Sequence, residues 1–280
     1  MSQTKDSLDW IHQSLIGNGM HLHALTNVMV QKGIFTKNEV TEALTAFSRD
    51  DYTFNTRRIL EHSEAELREG EWRAGGIRAT RELSQAAKIN EDSKVLDIGC
   101  GMGAPARTLA REIGCHVCGI DKDFGRIVEA IRRNTDIETA KLVEFKWGDG
   151  RAIPYPDAKF DVVMGQAAWN WIPDKETLLQ ECWRVLKQPG IVAFECAAVL
   201  DEVGEDVFER MTDEHLRKYR VSGWFRIGSW RDLLRDTGFE DIVVTEMWED
   251  TRRYEPVLGD GREVRDIRDE VNVRVVAQKP

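Results

Sequence analysis

No run in this 280-residue chain is long and apolar enough to cross a bilayer, and residues 1–20 lack the basic start and apolar centre of a secretory signal. A cytoplasmic protein without membrane insertion is therefore expected. Cysteine is scarce and odd in number, with five residues, so a disulfide framework is not expected. Cys115 and Cys118 have C-x-x-C spacing but lie around an expected strand, where residues three apart point to opposite faces. No second pair accompanies them, and no metal site is expected. Basic residues are in deficit, 39 against 49 acidic ones, for a formal charge of −10. That balance disfavours a phosphate backbone as partner, so no nucleic acid is expected. Internal repeats and low-complexity tracts are missing too. What remains is an ordinary globular mixture, 41% hydrophobic and 31% charged, in a chain long enough to bury a substantial core.

Residues 1–75 read as a helical extension or cover. Thr36 and Glu39 have capping-box spacing ahead of Val40, Leu44 and Phe47 on one face, and Leu22, Leu25, Val28 and Met29 form another apolar stripe. A further helix is expected from about Gly76 to Lys88. From Lys94 the pattern changes to short β-rich runs at 95–99, 116–121, 141–149, 159–165 and 191–196, separated by helical stretches near 105–113, 123–133 and 174–187. A helix at 229–237 and strands at 241–247 and 271–277 follow. This alternation predicts an α/β domain over 76–280: a doubly wound, Rossmann-like, mostly parallel sheet with helices on both faces. Residues 201–225 exceed a simple connection, and Val207 and Met211, four apart, make part of the excursion helical. It follows the fifth strand at the end where open α/β sheets bind ligands, so a substrate cover competes with an insertion that merely packs.

The first strand opens the run VLDIGCGMG. Gly99, Gly101 and Gly103 let the backbone turn sharply and approach a ligand where a Cβ would clash. Pro105 suits the first turn of the helix behind them, whose free N–H groups would face a pocket. A dinucleotide fingerprint, G-x-G-x-x-G, is the obvious rival, but the third glycine comes one residue early and Ala104 takes its place. Asp97, just before the glycines, would oppose a pyrophosphate and suit a cationic ligand. Asp121 closes the next strand, where a carboxylate accepts from both ribose hydroxyls. Asp149 closes the third, within reach of an adenine amino group, with Gly150 expected to leave room for a base edge.

In this order the pieces resemble the small-molecule branch of the seven-stranded S-adenosylmethionine-dependent methyltransferases. VLDIGCGMG (95–103) resembles the first motif of that family, GID (119–121) its ribose-binding strand end, and WGDGRAIPYPDAKFDVV (147–163) its adenine loop and fourth strand. GQAAWNWIPDKETLLQECWRVLKQPGIVAFE (165–195) looks like its later motifs, and the similarity spans about residues 72–247. The resemblance implies seven strands with a reversed C-terminal hairpin and S-adenosylmethionine as cofactor. It implies that Asp97 and Gly99 lie near the methionine portion, Gly101 and Gly103 line the cofactor, Asp121 holds the ribose, and Asp149 with Gly150 the adenine. Gln166 and Ala167 would border the methionine portion and the active-site mouth. VLKQPG departs from the commoner Lys-Pro-Gly-Gly turn.

Methyl transfer needs alignment more than a catalytic dyad, so the lack of a Ser-His-Asp pattern decides nothing, and no catalytic base is assigned. Candidate acceptor contacts are Trp169, Asn170 and Trp171 after the fourth strand, with Tyr52 and Tyr219. An aromatic wall would favour an ammonium by cation–π attraction, or at least one Trp packs as core. Glu195 and Cys196 close the fifth expected strand. GEWRAGGIRATRELSQAAKI (70–89) looks like the lead-in of enzymes that methylate sarcosine or dimethylglycine, while quinone and sterol methyltransferases share much of the later pattern. A small-molecule acceptor, first an amine nitrogen, is expected. Phenolic, quinone-like, thiol or macromolecular acceptors and a noncatalytic cofactor-binding regulator are the alternatives, and a homodimer is left open.

Overall fold

The structure is a computed structural model that describes residues 76–219, 225–247 and 270–280. The helical readings within 1–75, the acceptor candidate Tyr52 and the connection 248–268 lie outside the described residues. From Gly76 onward the elements are α1 (Gly76–Ala86), β1 (Lys94–Ile98), α2 (Ala104–Glu112), β2 (His116–Asp121), α3 (Phe124–Arg133), α4 (Ile137–Ala140), β3 (Val143–Trp147) and β4 (Phe160–Gln166). A 3₁₀ turn (Trp169–Trp171) leads to α5 (Lys175–Val185), β5 (Leu186–Val199), α6 (Glu205–Tyr219), α7 (Ile227–Thr237), β6 (Glu240–Glu246) and β7 (Glu270–Lys279).

The seven strands form one sheet in the order β3-β2-β1-β4-β5-β7-β6. β3, β2, β1, β4 and β5 run parallel, and β7 is antiparallel to both β5 and β6. Central parallel strands have both faces covered, which is why VLDI, VVM and IVAF are near-continuous apolar runs. Alternate residues feed two cores. Leu96, Ile98, Val163, Val192, Phe194, Val273 and Val275 meet Leu178, Cys182 and Val185 of α5 and Trp230 and Leu234 of α7. On the other face Val95, Val117, Val162, Met164 and Ala193 meet Leu83 of α1, Leu109 of α2 and Ile127 of α3. Cys115 belongs to the second core and Cys118 packs against the first, as their strand spacing requires.

β5 begins earlier and ends later than its sequence suggests. Phe160 stands opposite Leu186 but Val162 opposite Ile191, so Lys187–Gly190, the departure from the usual turn, lies out of register. Glu195 and Cys196 are thus inside the strand. The excursion after β5 does contain a helix, α6, and its two ends close on one point: the Val199 N–H donates to Phe225 O at 2.9 Å, and Val199 bridges Arg226. Arg226 ties this junction. Its Nη1 donates to Val203 O at 2.8 Å and Leu200 O at 3.3 Å, its Nη2 to Glu205 Oε2 at 3.0 Å, and its guanidinium lies 4.2 Å from the centre of the Phe208 ring. No helix among the described residues is long and apolar enough to cross a membrane.

Candidate functional site

Parallel strands end together, so the carboxyl ends of β2, β1, β4 and β5 gather the loops between them along one edge. The glycine loop leaves β1 with Gly99, Gly101 and Gly103 at φ +77°, +54° and +76°, a region that side chains resist. It is bonded to β2: the N–H groups of Gly99 and Cys100 donate to Ile120 O at 2.8 and 3.0 Å, and the Gly101 N–H donates to Asp121 Oδ2 at 2.9 Å. Asp121 Oδ1 accepts from the Asp123 N–H at 2.8 Å, and the Arg126 guanidinium stands 3.9 Å from Oδ2. Burial pushes the Asp121 carboxyl above the usual aspartate range, against the pull of Arg126 and these two N–H groups. Asp97, in register with Gly119 and Met164, is fully buried where β1 meets the loop. Burial, then the charges of Asp97 and Asp121, raise the Cys100 thiol well above its ordinary value.

The three glycines have different reasons to be glycine. A Cβ on Gly99 would fall 2.3 Å from Ala168 Cβ, so the loop touches the turn after β4. A Cβ on Gly103 would fall 2.2 Å from Phe145 Cζ and 2.9 Å from Arg107 Nη1, so that glycine serves packing. Burial lowers the Arg107 guanidinium to about 10, and its Nη1 donates to Met102 O at 2.7 Å, holding the loop from below. Only at Gly101 would a Cβ meet nothing within 4 Å.

Past β3, the Gly148 N–H donates to Asp121 O at 3.1 Å and the Trp147 indole to Lys122 O at 2.9 Å. Asp149 is gripped by Arg151, whose Nη2 donates to Oδ2 at 2.6 Å and whose backbone N–H donates to Oδ1 at 2.9 Å. The Arg151 hydrogen bonds hold the Asp149 carboxyl below the usual range despite burial. At Gly150 a Cβ would fall 2.8 Å from Ile98 and 2.9 Å from Leu178, so on that side the missing side chain makes room for core.

Residues 96–194 match the family model described as a methyltransferase domain. The chain is 31% identical over 164 residues to the sarcosine/dimethylglycine N-methyltransferase of Halorhodospira halochloris, a match covering 58% of this chain and 57% of the relative. It is also 31% identical over 168 residues to the sterol 24-C-methyltransferase of Eremothecium gossypii, covering 58% of this chain and 44% of the relative. The chain thus spans about half the length of these curated relatives. Among solved structures, phosphoethanolamine N-methyltransferase 2 of Haemonchus contortus superposes with a TM-score of 0.65 at 19% identity, over 83% of this chain and 59% of the other, a likeness of fold.

After β4 the chain packs inward, which, of the two readings of Trp169 and Trp171, favours core for one of them. Gln166 is buried, and Ala167 is exposed with φ +52°, its N–H donating to Glu195 O at 2.9 Å. Trp169 is no exposed wall. It is fully buried, stacked on Phe194 at 4.3 Å between ring centres, with Trp230 beyond. Asn170 is no free polar contact either, because its Nδ2 donates to Ala197 O at 2.6 Å and its Oδ1 accepts from the Ala197 N–H at 3.1 Å. Trp171 is exposed. Tyr219 ends α6.

Composition and spacing pointed to none of Thr80, Arg151, Lys175 or Arg274. Lys175 is buried with its Nζ on the carbonyls of Asn170 and Ile172, and burial lowers it to about 8. Thr80 reaches Gln166 across 86 residues of sequence, a contact no local pattern announces.

Proposed function

We propose that this chain transfers a methyl group from S-adenosylmethionine to a small-molecule acceptor, first an amine nitrogen. The observation that carries the reading is the glycine loop fastened to Asp121, with Gly101 facing open space beside that buried carboxylate. The donor set suits the cofactor. Each Asp121 oxygen accepts one backbone N–H and keeps a lone pair for a ribose hydroxyl, and buried Asp97 supplies negative charge for the cationic methionine end. Gly99, Gly101, Gly103, Asp97 and Asp121 would hold the cofactor, with Gln166 and Ala167 at the methionine end and Asp149 and Gly150 on the adenine side. When bound, S-adenosylmethionine presents a methyl group on a sulfonium to the lone pair of an acceptor.

The protein's own part is alignment and exclusion of water, which suffices when the leaving group is already good. Residues 1–75 as an extension, 76–280 as the cofactor domain and 201–225 as a substrate cover complete the reading. The cover is supported by its position, since both its ends close at Val199 on the strand edge that carries the site. Exposed Trp171 stays an acceptor candidate, along with Tyr219 and Tyr52. The similarity to a sarcosine/dimethylglycine N-methyltransferase supports an amine, and that to a sterol enzyme keeps a carbon or other acceptor in play. A cytoplasmic location and solitary or dimeric action belong to the same proposal.

The test is incubation of the full chain with methyl-labelled S-adenosylmethionine and a panel of amines, phenols, thiols and sterols, followed by mass spectrometry. Label on an amine with matching release of S-adenosylhomocysteine is expected. Label only on another class would overturn the amine. Cofactor binding with no transfer to any acceptor would leave a noncatalytic binding protein.

A further inference from the structure

A row of polar side chains crosses the sheet beside the site. Gln166 of β4 stands in register with Glu195 of β5, and Glu195 with Arg274 of β7. Gln166 Nε2 donates to Glu195 Oε2 at 2.7 Å, and Arg274 Nε donates to Glu195 Oε1 at 2.8 Å. Helix α1 closes the row at both ends. Thr80 Oγ1 donates to Gln166 Oε1 at 2.8 Å, while Arg274 Nη2 donates to Glu82 Oε2 at 2.9 Å. Thr80, Gln166 and Glu195 are all buried. A buried ion pair is a poor source of stability compared with apolar packing, because desolvation offsets its attraction. Its value lies in fixing geometry, and here the geometry fixed is specific. Glu195 grips the turn after β4 twice, through its carboxylate on Gln166 and its carbonyl on the Ala167 N–H. That turn holds Ala167 in a left-handed conformation and sets Ala168 against Gly99.

We propose that Glu195 and Arg274 are positioning residues that lock the Gln166–Ala168 turn against the glycine loop and thereby shape the methionine end of the cofactor site. The inference rests on the cofactor reading above. The hydrogen bonds set the direction of the effect. In Glu195→Gln one carboxylate oxygen becomes an amide N–H₂. Either that group faces the donor of Gln166, which must then turn and reverse its hydrogen bond with Thr80, or it faces Arg274. Thr80→Val removes the hydroxyl at nearly constant volume and reaches the turn from the other side. Both side chains reach the turn only through Gln166, so the adenosine half of the site is expected to stay unchanged.

Calorimetric titration of the full chain with S-adenosylhomocysteine and, separately, adenosine tests this. Both variants are expected to bind S-adenosylhomocysteine about tenfold more weakly and adenosine within about twofold of the unmodified chain. Glu112→Gln, which breaks only pairs with the exposed Arg81 and Arg111, is expected to change neither. Equal weakening of both ligands would mean a general structural role and overturn the proposal, as would no change in either. If Glu195→Gln does not fold, Thr80→Val decides alone. Failure of the unmodified chain to bind S-adenosylhomocysteine would instead remove the cofactor reading, and the inference with it.

Discussion

Alanine at Gly101 and alanine at Gly103 separate binding from folding. Both glycines have positive φ, which costs an alanine about 1 kcal/mol or somewhat more. At Gly101 that is the whole structural cost, because the new methyl meets nothing, so the melting midpoint should fall by only about 2–4 °C. The methyl would still project into the open space that the proposal gives to the cofactor, so binding should weaken about tenfold or more, about 1.4 kcal/mol. At Gly103 the methyl collides with Phe145, adding overpacking for a total of about 2–4 kcal/mol. Thermal melts and calorimetric titration of the two variants should show opposite patterns; a stable Gly103→Ala would contradict the packing role.

Asp121 adds a pH dependence. Its folded pKa is raised by burial, so the folded chain holds that proton more tightly than the unfolded chain does. Through this group the fold gains stability as pH falls through the raised value toward 3.8, and the charged form costs stability above it. Asp149 has the opposite sign: lowered by Arg151, it contributes stability above 3.8 that is lost as pH falls through its folded value. Acceptance of ribose hydroxyls needs the charged Asp121, so binding of S-adenosylhomocysteine should begin to weaken at a pH where an ordinary aspartate is still ionised. Asp121→Asn should bind weakly and without that pH dependence; parallel pH profiles for the two proteins would count against the role. Asp97, Asp121 and the glycines were legible because each sits at a strand end that the local pattern marks. The reason for Gly150 was not, because Ile98 and Leu178 reach it only through the fold.

At the scale of elements, the excursion after β5 hangs on Arg226, which bonds the carbonyls of Leu200 and Val203, pairs with Glu205 and covers Phe208. Arg226→Met keeps much of the apolar stem but leaves those acceptors without their charged donor, a local loss of about 2–3 kcal/mol. Hydrogen exchange in 205–219 should quicken while exchange in β1, β4 and β5 stays near that of the unmodified chain. If the excursion covers the acceptor, KM for the acceptor should rise with little change in cofactor affinity; a uniform rise in exchange across the sheet would refute a local anchor. The strands themselves were legible as apolar runs, and the helix in the excursion from its four-residue spacing. The length of β5 was not, because Lys187–Gly190 interrupts the apolar run while pairing resumes beyond it. Which of Trp169 and Trp171 packs as core was open for a related reason: the burial of Trp169 comes from Phe194 and Trp230, distant in sequence.

Across the whole molecule, the site and the cores are one mechanical unit. The glycine loop rests on Phe145 of one core and on Arg107, the turn after β4 leads into Trp169 of the other core, and the Gln166–Glu195–Arg274 row joins β4, β5 and β7 to α1. A ligand that binds only when these parts are assembled must stabilise all of them together. At a hundred times its dissociation constant, S-adenosylhomocysteine should contribute about 2.7 kcal/mol, which for a domain of this size raises the melting midpoint by about 5–10 °C. Scanning calorimetry should show the sheet domain melting in one transition that moves upward with ligand. Any earlier transition that ignores the ligand would belong to chain outside that unit. Two transitions that both ignore the ligand would contradict the cofactor reading, and a split within the sheet domain, one half moving and the other not, would contradict the coupling of its two cores through the site.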